Sequence, residues 1–305
     1  MSNNNLDGID IIYWINLDRS IDRKERMLKM FSDDCFNNIP IKRFSGVDGK
    51  NENIQDMITA RKRKLTNPEY GCLLSHLEII NEFSKTDYNV ALLLEDDITL
   101  DFKKYWTKSV REIINNAPYD WEIIMLCYHS DINPTNEYTL NQNNYWSTGA
   151  FIINNAAAKN MTKMTYYDGT YHLDDNIKQA ADDYLFIKMK TYVYKYPYFM
   201  YGYSENTTIP TSNVKYHNYS RRKIEYLYET QYINESEYTG SSIQSGQNVV
   251  ENFSNFTPSS YDNNFFLYIF FIFLSLFICL LIIFCSFVRG DFIIDLNKLI
   301  KIKSK

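Results

Sequence analysis

The chain has 305 residues, 45% of them hydrophobic, and a formal net charge of −5. This length supports one large domain or two small ones around a sizeable core. Because residues 289–305 are basic, the acidic excess belongs to the rest of the chain, which is a poor generic binder of nucleic acid. The five cysteines have neither the spacing of a disulfide framework nor that of a zinc site, and we interpret Cys35, Cys72 and Cys127 as small core residues.

Strands and helices are predicted to alternate along most of the chain. Runs rich in Ile, Val, Leu and aromatic residues predict strands at 10–17, 41–50, 90–97, 121–128, 146–154 and 193–199. Apolar residues at helical spacing predict helices at 21–31, 67–83 (after an initial turn), 102–114, 155–165 and 182–189. Residues 51–66 are polar and basic and predict a loop or an exposed helix. This alternation is typical of an α/β domain with a mainly parallel sheet.

The C-terminal part of the chain has a different composition. Residues 234–264 are rich in Ser, Asn, Gly and Gln and predict a flexible linker after a folded domain at 1–233. Residues 265–288 carry no charge and are mostly apolar. As a helix they would be about 36 Å long, enough to cross a hydrocarbon core of roughly 30 Å. We therefore predict one transmembrane helix at 265–288, followed by a basic tail at 289–305.

With this predicted span the protein would be single-pass and C-terminally anchored. The sequence contains signals for both orientations of the large domain relative to the membrane. The start of the chain has no basic segment followed by an apolar one, so no signal peptide is predicted. A span near the C-terminus is the tail-anchored pattern, which places the large domain in the cytosol, and the unpaired cysteines agree with it. The basic tail favours the opposite orientation, with the large domain in a lumen. We favour the cytosolic orientation.

An acidic run follows the predicted strand at 90–97. Residues 91–97, ALLLEDD, lead from apolar residues directly into Glu95, Asp96 and Asp97. In open α/β sheets ligands bind at the carboxyl ends of strands, and adjacent carboxylates repel one another unless a cation neutralises them. Oxygen ligands favour a hard ion, Mg²⁺ or Mn²⁺. The same acids could instead stabilise the start of a helix near Asp101, so the run alone favours neither interpretation.

Five motifs occur in order around this acidic run. They are INLDRSIDRKERM (15–27), FSGVDGK (44–50), YGCLLSHLEII (70–80), ALLLEDD (91–97) and STGAFIINNAAAKNM (147–161). Together they resemble glycosyltransferase family 25, which includes lipooligosaccharide and procollagen galactosyltransferases, over roughly residues 10–200. The resemblance implies a GT-A-like, Rossmann-related sheet. It also implies transfer of a sugar from a nucleotide sugar, usually UDP-galactose or UDP-glucose, with Mn²⁺ as cofactor.

The resemblance also implies which residues face the nucleotide-sugar donor. They lie in the first, second, fourth and fifth motifs: Asn16, Leu17, Asp18, Arg19, Arg23, Gly46, Val47, Asp48, Glu95, Asp96 and Gly149, with Ser147 and Thr148 beside the last. For Arg23 an ordinary charged helix surface is the favoured alternative. For Gly46 a plain turn, in which glycine is used because it tolerates a positive φ, explains the residue about as well as contact with the donor does.

The resemblance assigns the metal and the general base as well. Asp97 would bind the metal, Glu95 would face the ribose or share the metal, and Asp96 would position both. His217 is a candidate further ligand and His76 a modest one, although a single histidine is more often structural. Transfer with inversion needs a base for the attacking hydroxyl. Asp183 and Asp182 are the candidates, with a weaker pair at Asp174 and Asp175, and Asp182 could instead be the N-cap of the following helix.

The expected function is metal-assisted transfer of galactose or glucose from a UDP-sugar to a hydroxyl of a glycan, lipid-linked or protein acceptor at a membrane. Acceptor contacts are expected from the polar stretches 51–68 and 129–146. One alternative is metal-dependent phosphoryl transfer, for which Asp18 and Asp48 would supply a second metal site. Another is a catalytically inactive protein that binds a nucleotide sugar or glycan.

Overall fold

The structure, a computed structural model, describes residues 5–59, 65–202 and 212–238, with side chains of the last segment described for 217–230. Its strands are β1 Ile11–Asn16, β2 Ile41–Ser45, β3 Ile58–Thr59, β4 Val90–Glu95, β5 Ile98–Thr99, β6 Ile123–Met125, β7 Tyr138–Leu140, β8 Ala150–Asn154, β9 Tyr166–Tyr167, β10 Thr170–His172, β11 Thr191–Tyr194 and β12 Met200–Tyr201. Its helices are α1 Ile21–Met30, α2 Ile54–Met57, α3 Asn67–Ser84, α4 Val110–Asn116, α5 Asn155–Thr165, α6 Ala181–Lys188 and α7 Ser212–Tyr238, with 3₁₀ turns at Asp34–Phe36 and Lys103–Tyr105.

The main sheet has seven strands in the order β2-β1-β4-β8-β6-β11-β7. β2, β1, β4, β6 and β11 run in one direction, and β8 and β7 run against them. The prediction of a mainly parallel α/β sheet is thereby confirmed. The reversed β8, which lies in the middle of the sheet, was not predicted, because an apolar run such as AFII has the same pattern in either direction.

The centre of this sheet is buried on both faces. The side chains of 91–94 in β4 and of 151–153 in β8 are fully buried. α3 covers one face and packs against α5 and α6, with Leu73, Leu74 and Leu77 turned to the core. Two small sheets, β3-β10-β9 and β12-β5, complete the described fold.

Two helix predictions need correction. Residues 102–114 form a 3₁₀ turn and then, after a break, α4. The break arises because Ser109 is an extended N-cap whose side chain accepts from the Glu112 amide while the Glu112 carboxylate accepts from the Ser109 amide. No separate turn precedes α3, since its first residue is Asn67 and Thr66 forms the same kind of capping box with Glu69.

The interpretation of the cysteines is also partly wrong. Cys35 and Cys127 are buried, as expected for small core residues, but Cys72 is exposed on α3. The two apolar neighbours that follow Cys72 point inward, and the sequence pattern did not separate it from them.

The C-terminal predictions fall mostly outside the described residues. The predicted membrane span 265–288 and the tail 289–305 lie outside them, as does the linker after residue 238. Residues 234–238, predicted as linker, are instead the end of α7. In the parts of the chain that the structure covers, no helix is both long enough and apolar enough to cross a membrane.

Candidate functional site

The acidic run lies where three strands of the main sheet meet. β4 ends at Glu95, and its parallel neighbour β1 ends beside it, with Ile15 opposite Glu95. On the other side β8 begins, and the Glu95 amide donates to the Gly149 carbonyl at 2.9 Å. Motifs far apart in the sequence are therefore brought together at one edge of the sheet, as expected for strands whose carboxyl ends coincide.

Asp96 is the buried anchor of the run. Its two carboxylate oxygens accept from Asn16 Nδ2 at 2.7 Å and from Arg23 Nη1 at 2.6 Å. Arg26 donates to its carbonyl at 3.1 Å. Arg23 is thus not the ordinary helix-surface residue that the sequence favoured, because its side chain is 17% exposed and pairs with the acidic run. Asp96 therefore ties the run to β1 and α1, while its role in positioning Glu95 and Asp97 for a donor stays a prediction.

Glu95 is held by two donors on one oxygen. His76 Nε2 lies 3.0 Å from Glu95 Oε1, and Thr148 Oγ1 donates to the same oxygen at 2.6 Å. Burial alone would raise the pKa of Glu95, but the contacts with His76 and Thr148 hold that pKa below its ordinary value. These contacts favour the ionised form of Glu95, and both end on Oε1, with no hydrogen bond to the second oxygen among the described residues.

Asp97 has the least compensated charge of the three. Its Oδ2 lies 3.6 Å from Arg23 Nη1, and its buried Oδ1 has no hydrogen-bond partner among the described residues. Burial, followed by the negative charge of Glu95, raises the pKa of Asp97 to about 7. A buried carboxylate oxygen without a donor, next to a second carboxylate, is the environment that a bound hard cation would stabilise.

Arginine side chains neutralise the other acids of the first two motifs. Arg43 donates to the backbone and side-chain oxygens of Asn16 at 3.0 and 2.9 Å and to Asp18 Oδ1 at 2.6 Å. Arg19 Nε donates to Asp48 Oδ2 at 2.7 Å. The pairs with Arg43 and Arg19 lower the pKa values of Asp18 and Asp48. Sequence reasoning missed Arg43, although its place in β2, parallel to β1, was the available signal.

The glycine loop after β2 is shaped by close approach. Ser75 Oγ donates to the Gly71 carbonyl at 2.7 Å and accepts from the Val47 amide at 2.8 Å. A Cβ on Gly49 would lie 2.0 Å from the Asn67 carbonyl oxygen, and one on Gly46 would lie 3.0 Å from Ile15. Neither Gly46 nor Gly49 has a positive φ, so the alternative based on left-handed glycine is wrong. These glycines let the loop lie directly against the start of α3.

The loop before β8 is tied into the fold. The Gly149 amide donates to Ser147 Oγ at 3.0 Å, and its carbonyl accepts from Glu95. Ser147 has a positive φ of 118° and is hydrogen-bonded to the Tyr201 hydroxyl. Gly149 is needed because a Cβ there would lie 2.8 Å from that hydroxyl. Contact of this loop with a donor sugar stays a prediction.

His217 lies in a stack of three rings. Its ring centroid is 4.1 Å from that of His129, which in turn lies 4.6 Å from the ring of Tyr201. Burial lowers the pKa of His217, while the negative charge of Glu95 opposes this shift. Neutral imidazole is the form that binds metals. A metal-binding role for His217 stays a prediction, and the partners His129 and Tyr201 were not identified from sequence.

The two candidate bases lie in the first turn of α6 and differ in their surroundings. Asp183 is paired with Lys178. Burial, and then the negative charge of Asp183, raises the pKa of Asp182, with a smaller contribution from Glu95. The alternative that Asp182 is an N-cap is wrong, since α6 begins at Ala181 with Ala180 as its N-cap. In the weaker pair, Asp174 is bonded to Lys188 at 2.8 Å.

Comparisons with known proteins point to one family. The model of glycosyltransferase family 25 (LPS biosynthesis protein) matches residues 9–177. Procollagen galactosyltransferase 2 of Mus musculus is 33% identical over 133 residues, which cover 39% of this chain and 21% of that protein. A glycosyltransferase 25 family member of Aedes aegypti is 30% identical over 131 residues, covering 38% and 21%.

The chain thus matches about a fifth of the length of these curated relatives. Among solved structures, a glycosyltransferase involved in the glycosylation of the major capsid of PBCV-1 aligns with 50% of this chain and 63% of that chain. Its TM-score of 0.29 and identity of 10% are too low to support an argument. Because the family model matches more than half of the sequence, the chain belongs to glycosyltransferase family 25.

Proposed function

We propose that this protein transfers galactose or glucose from a UDP-sugar to a hydroxyl of a glycan, lipid-linked or protein acceptor, with the help of a divalent cation. The observation that carries the proposal is Asp97, whose buried Oδ1 has no partner in the described part of the chain and whose pKa is raised to about 7. Family membership and the names of the galactosyltransferase relatives support the choice of reaction.

The residues present fit a hard cation. Asp97 and the free oxygen of Glu95 would hold Mn²⁺ or Mg²⁺, with His217 as a candidate third ligand. When bound, the cation would supply Lewis-acid stabilisation to the diphosphate leaving group. A GT-A-like arrangement, in which an acidic run after a central strand faces the donor, agrees with the position of Glu95 at the end of β4.

The arginine pairs give the donor side of the site its charge. Arg19 and Arg23 lie on the segment after β1, and both are already held by carboxylates, Asp48 and Asp96. A diphosphate that enters here would meet guanidinium groups fixed in position, which limits the entropy lost on binding. The loop of Gly46 and Val47 would lie against the base or ribose.

Asp182 is the better candidate for the general base. Its raised pKa lies nearer to neutrality than that of an ordinary aspartate, which suits a group that must accept a proton from the acceptor hydroxyl. Asp183 is paired with Lys178, so its side chain is already engaged. The proton would move from the acceptor oxygen to an Asp182 carboxylate oxygen as the acceptor oxygen bonds to the anomeric carbon, while the bond between the anomeric carbon and the diphosphate breaks and UDP leaves.

The test is release of UDP from a panel of UDP-sugars by the purified chain with a mixture of glycan and peptide acceptors, with and without Mn²⁺. We expect UDP release that depends on both metal and acceptor, and its loss in Asp97→Asn. The variant Asp7→Asn serves as a matched control, since that carboxylate lies outside the site and is paired with Arg111. Equal turnover by Asp97→Asn and the parent chain would contradict the metal assignment.

Phosphoryl transfer is the second enzymatic hypothesis, and the structure gives it less support. It needs a second metal held by further acids, for which Asp18 and Asp48 were the candidates. Each is bonded to an arginine, Arg43 or Arg19, which supplies the positive charge that a metal would bring. Release of inorganic phosphate in place of UDP would favour this reaction. Donor binding without any release would favour the inactive, sugar-binding alternative.

Anchoring by residues 265–288, with the large domain in the cytosol, is part of the proposal. Protease protection of the membrane-inserted protein tests it. In sealed vesicles with the cytosolic face outward, we expect the protease to digest the large domain. Protection of the large domain would instead place that domain in the lumen.

A further inference from the structure

A second cluster of possible metal ligands lies beside the acidic run. Cys72, His76 and Glu95 each offer a ligand atom, and the three atoms lie within 4.8 Å of one another. Cys72 and His76 are four residues apart and so share one face of α3. Glu95 approaches from the end of β4. The cluster has a sulfur, a nitrogen and an oxygen ligand, whereas the ligands proposed around Asp97 include no sulfur.

We propose that Cys72, His76 and Glu95 form a binding site for a thiophilic divalent cation of the zinc class, distinct from the hard-cation site at Asp97 except that the two sites share Glu95. Zinc prefers four ligands of this kind at about 2.0–2.3 Å, with water in the fourth place when three come from protein. Atoms up to 4.8 Å apart reach such a geometry by side-chain rotations that bring them about 1 Å closer. Thiolate and imidazole select zinc over Mn²⁺ or Mg²⁺.

The surroundings of His76 support this assignment. His76 is fully buried, and its Nε2 lies 3.0 Å from Glu95 Oε1. Nε2 is therefore the ring nitrogen that faces the cluster and would bind the ion. Cys72, in contrast, is an exposed residue of α3.

A nucleophilic role for Cys72 fits the geometry less well. A catalytic thiol needs a hydrogen bond to its base, with a third group that orients the base. His76 is bonded to Glu95, and no bond between Cys72 and His76 is present in the described structure. A thiolate next to Glu95 would also place two negative charges side by side, which a bound cation compensates. On binding, the proton of the Cys72 thiol leaves to solvent.

Zinc bound here would occupy Glu95, which the proposed function uses together with Asp97 to hold the hard cation. The cluster therefore lets zinc-class ions compete with that cation. This consequence depends on the proposed function, whereas the binding site itself does not. Direct metal binding consequently tests the site even if the chain releases no UDP.

The first experiment is titration of the metal-free full chain with Co²⁺, a spectroscopic substitute for zinc. We expect one ion per chain with a sulfur-to-cobalt charge-transfer band, displaced by Zn²⁺. Cys72→Ser should abolish the band and weaken Zn²⁺ binding by about 100-fold or more, since even loss of a supporting residue costs 10–100-fold. Asp97→Asn should keep the band. A band unchanged in Cys72→Ser, or lost in Asp97→Asn, would overturn the proposal of a distinct site.

A second measurement avoids any folding defect of the variant. Alkylation of Cys72 in the unaltered chain is followed by mass spectrometry of its peptide, with Zn²⁺, with Mn²⁺ or with neither. We expect Zn²⁺ to slow the modification at least tenfold and Mn²⁺ to leave it unchanged. Replacing Cys279 and Cys285 by serine provides the matched control for other thiols and should change neither readout. Equal alkylation rates with and without Zn²⁺ would refute the site.

Discussion

Asp97→Asn should make the metal-free protein more stable while it removes the proposed metal ligand. The folded protein holds the Asp97 proton up to about pH 7, whereas an ordinary aspartate releases it near 3.8. The unfolded chain thus binds fewer protons in this range, and the free energy of unfolding falls as the pH rises from about 4 to 7. At roughly 1.4 kcal/mol per pKa unit the full cost is about 4.5 kcal/mol. Because 23% of the side chain is exposed, we expect roughly 2–4 kcal/mol.

Urea denaturation in the presence of EDTA tests this expectation. Asp97→Asn should gain roughly 2–4 kcal/mol over the parent at pH 8 and clearly less at pH 5, where the Asp97 carboxyl is mostly protonated. Asp96→Asn is the matched control with the opposite sign. It removes the negative charge that faces Arg23 and turns one of the two accepting oxygens into an amide donor, and breaking such a buried pair costs about 3–5 kcal/mol. If both variants lost the same stability at both pH values, the assignment of uncompensated charge to Asp97 would be refuted.

Three further outcomes are expected. Mn²⁺ affinity, measured by calorimetry, should fall about tenfold per pH unit below pH 7, because the proton competes for Asp97; a flat profile would exclude Asp97 as a ligand. Gly49→Ala should lower stability by about 1–3 kcal/mol in thermal unfolding, because its Cβ would clash with the Asn67 carbonyl. Gly169→Ala is the control: the space around it is open, and it should cost only about 1 kcal/mol because of its φ of 79°. Ser109→Ala should cost about 1 kcal/mol by loss of the α4 cap, and an unchanged midpoint would contradict that role.

Local sequence pattern predicted most elements of the fold but not how they are arranged. β1, α1 and α5 agree with their predicted ranges to within a residue at each end, because period and caps are local properties. The direction of β8 depends on the path of residues 129–149, which carry little periodicity. The break between Lys103–Tyr105 and α4 depends on the capping pair at Ser109, a signal that was present but outweighed by the helical spacing around it.

The candidate site was predicted as a set of motifs but not as a network of contacts. The meeting of Asn16 with Asp96 follows from parallel strands that end together. The hydrogen-bond partner of each charged side chain could not be predicted from the sequence, because the partners come from elements far apart in the chain, such as Arg43 and Asp18. The cysteines have no metal-binding spacing among themselves, whereas the fold brings Cys72 close to a histidine and a glutamate that are distant from any other cysteine in the sequence pattern.

The central position of β8 sets the order in which the sheet is completed during synthesis. β4 pairs with β1 at one edge. Its other edge can pair only after β8 has been synthesised, and sixty residues separate Leu94 in β4 from Asn154 at the end of β8. At translation rates of 5–20 residues per second this interval lasts roughly 3–12 s. Throughout it, the apolar residues of 91–94 form an open strand edge, the kind of template that recruits other chains. A nascent chain paused before β8 is therefore the form of this protein most dependent on chaperones.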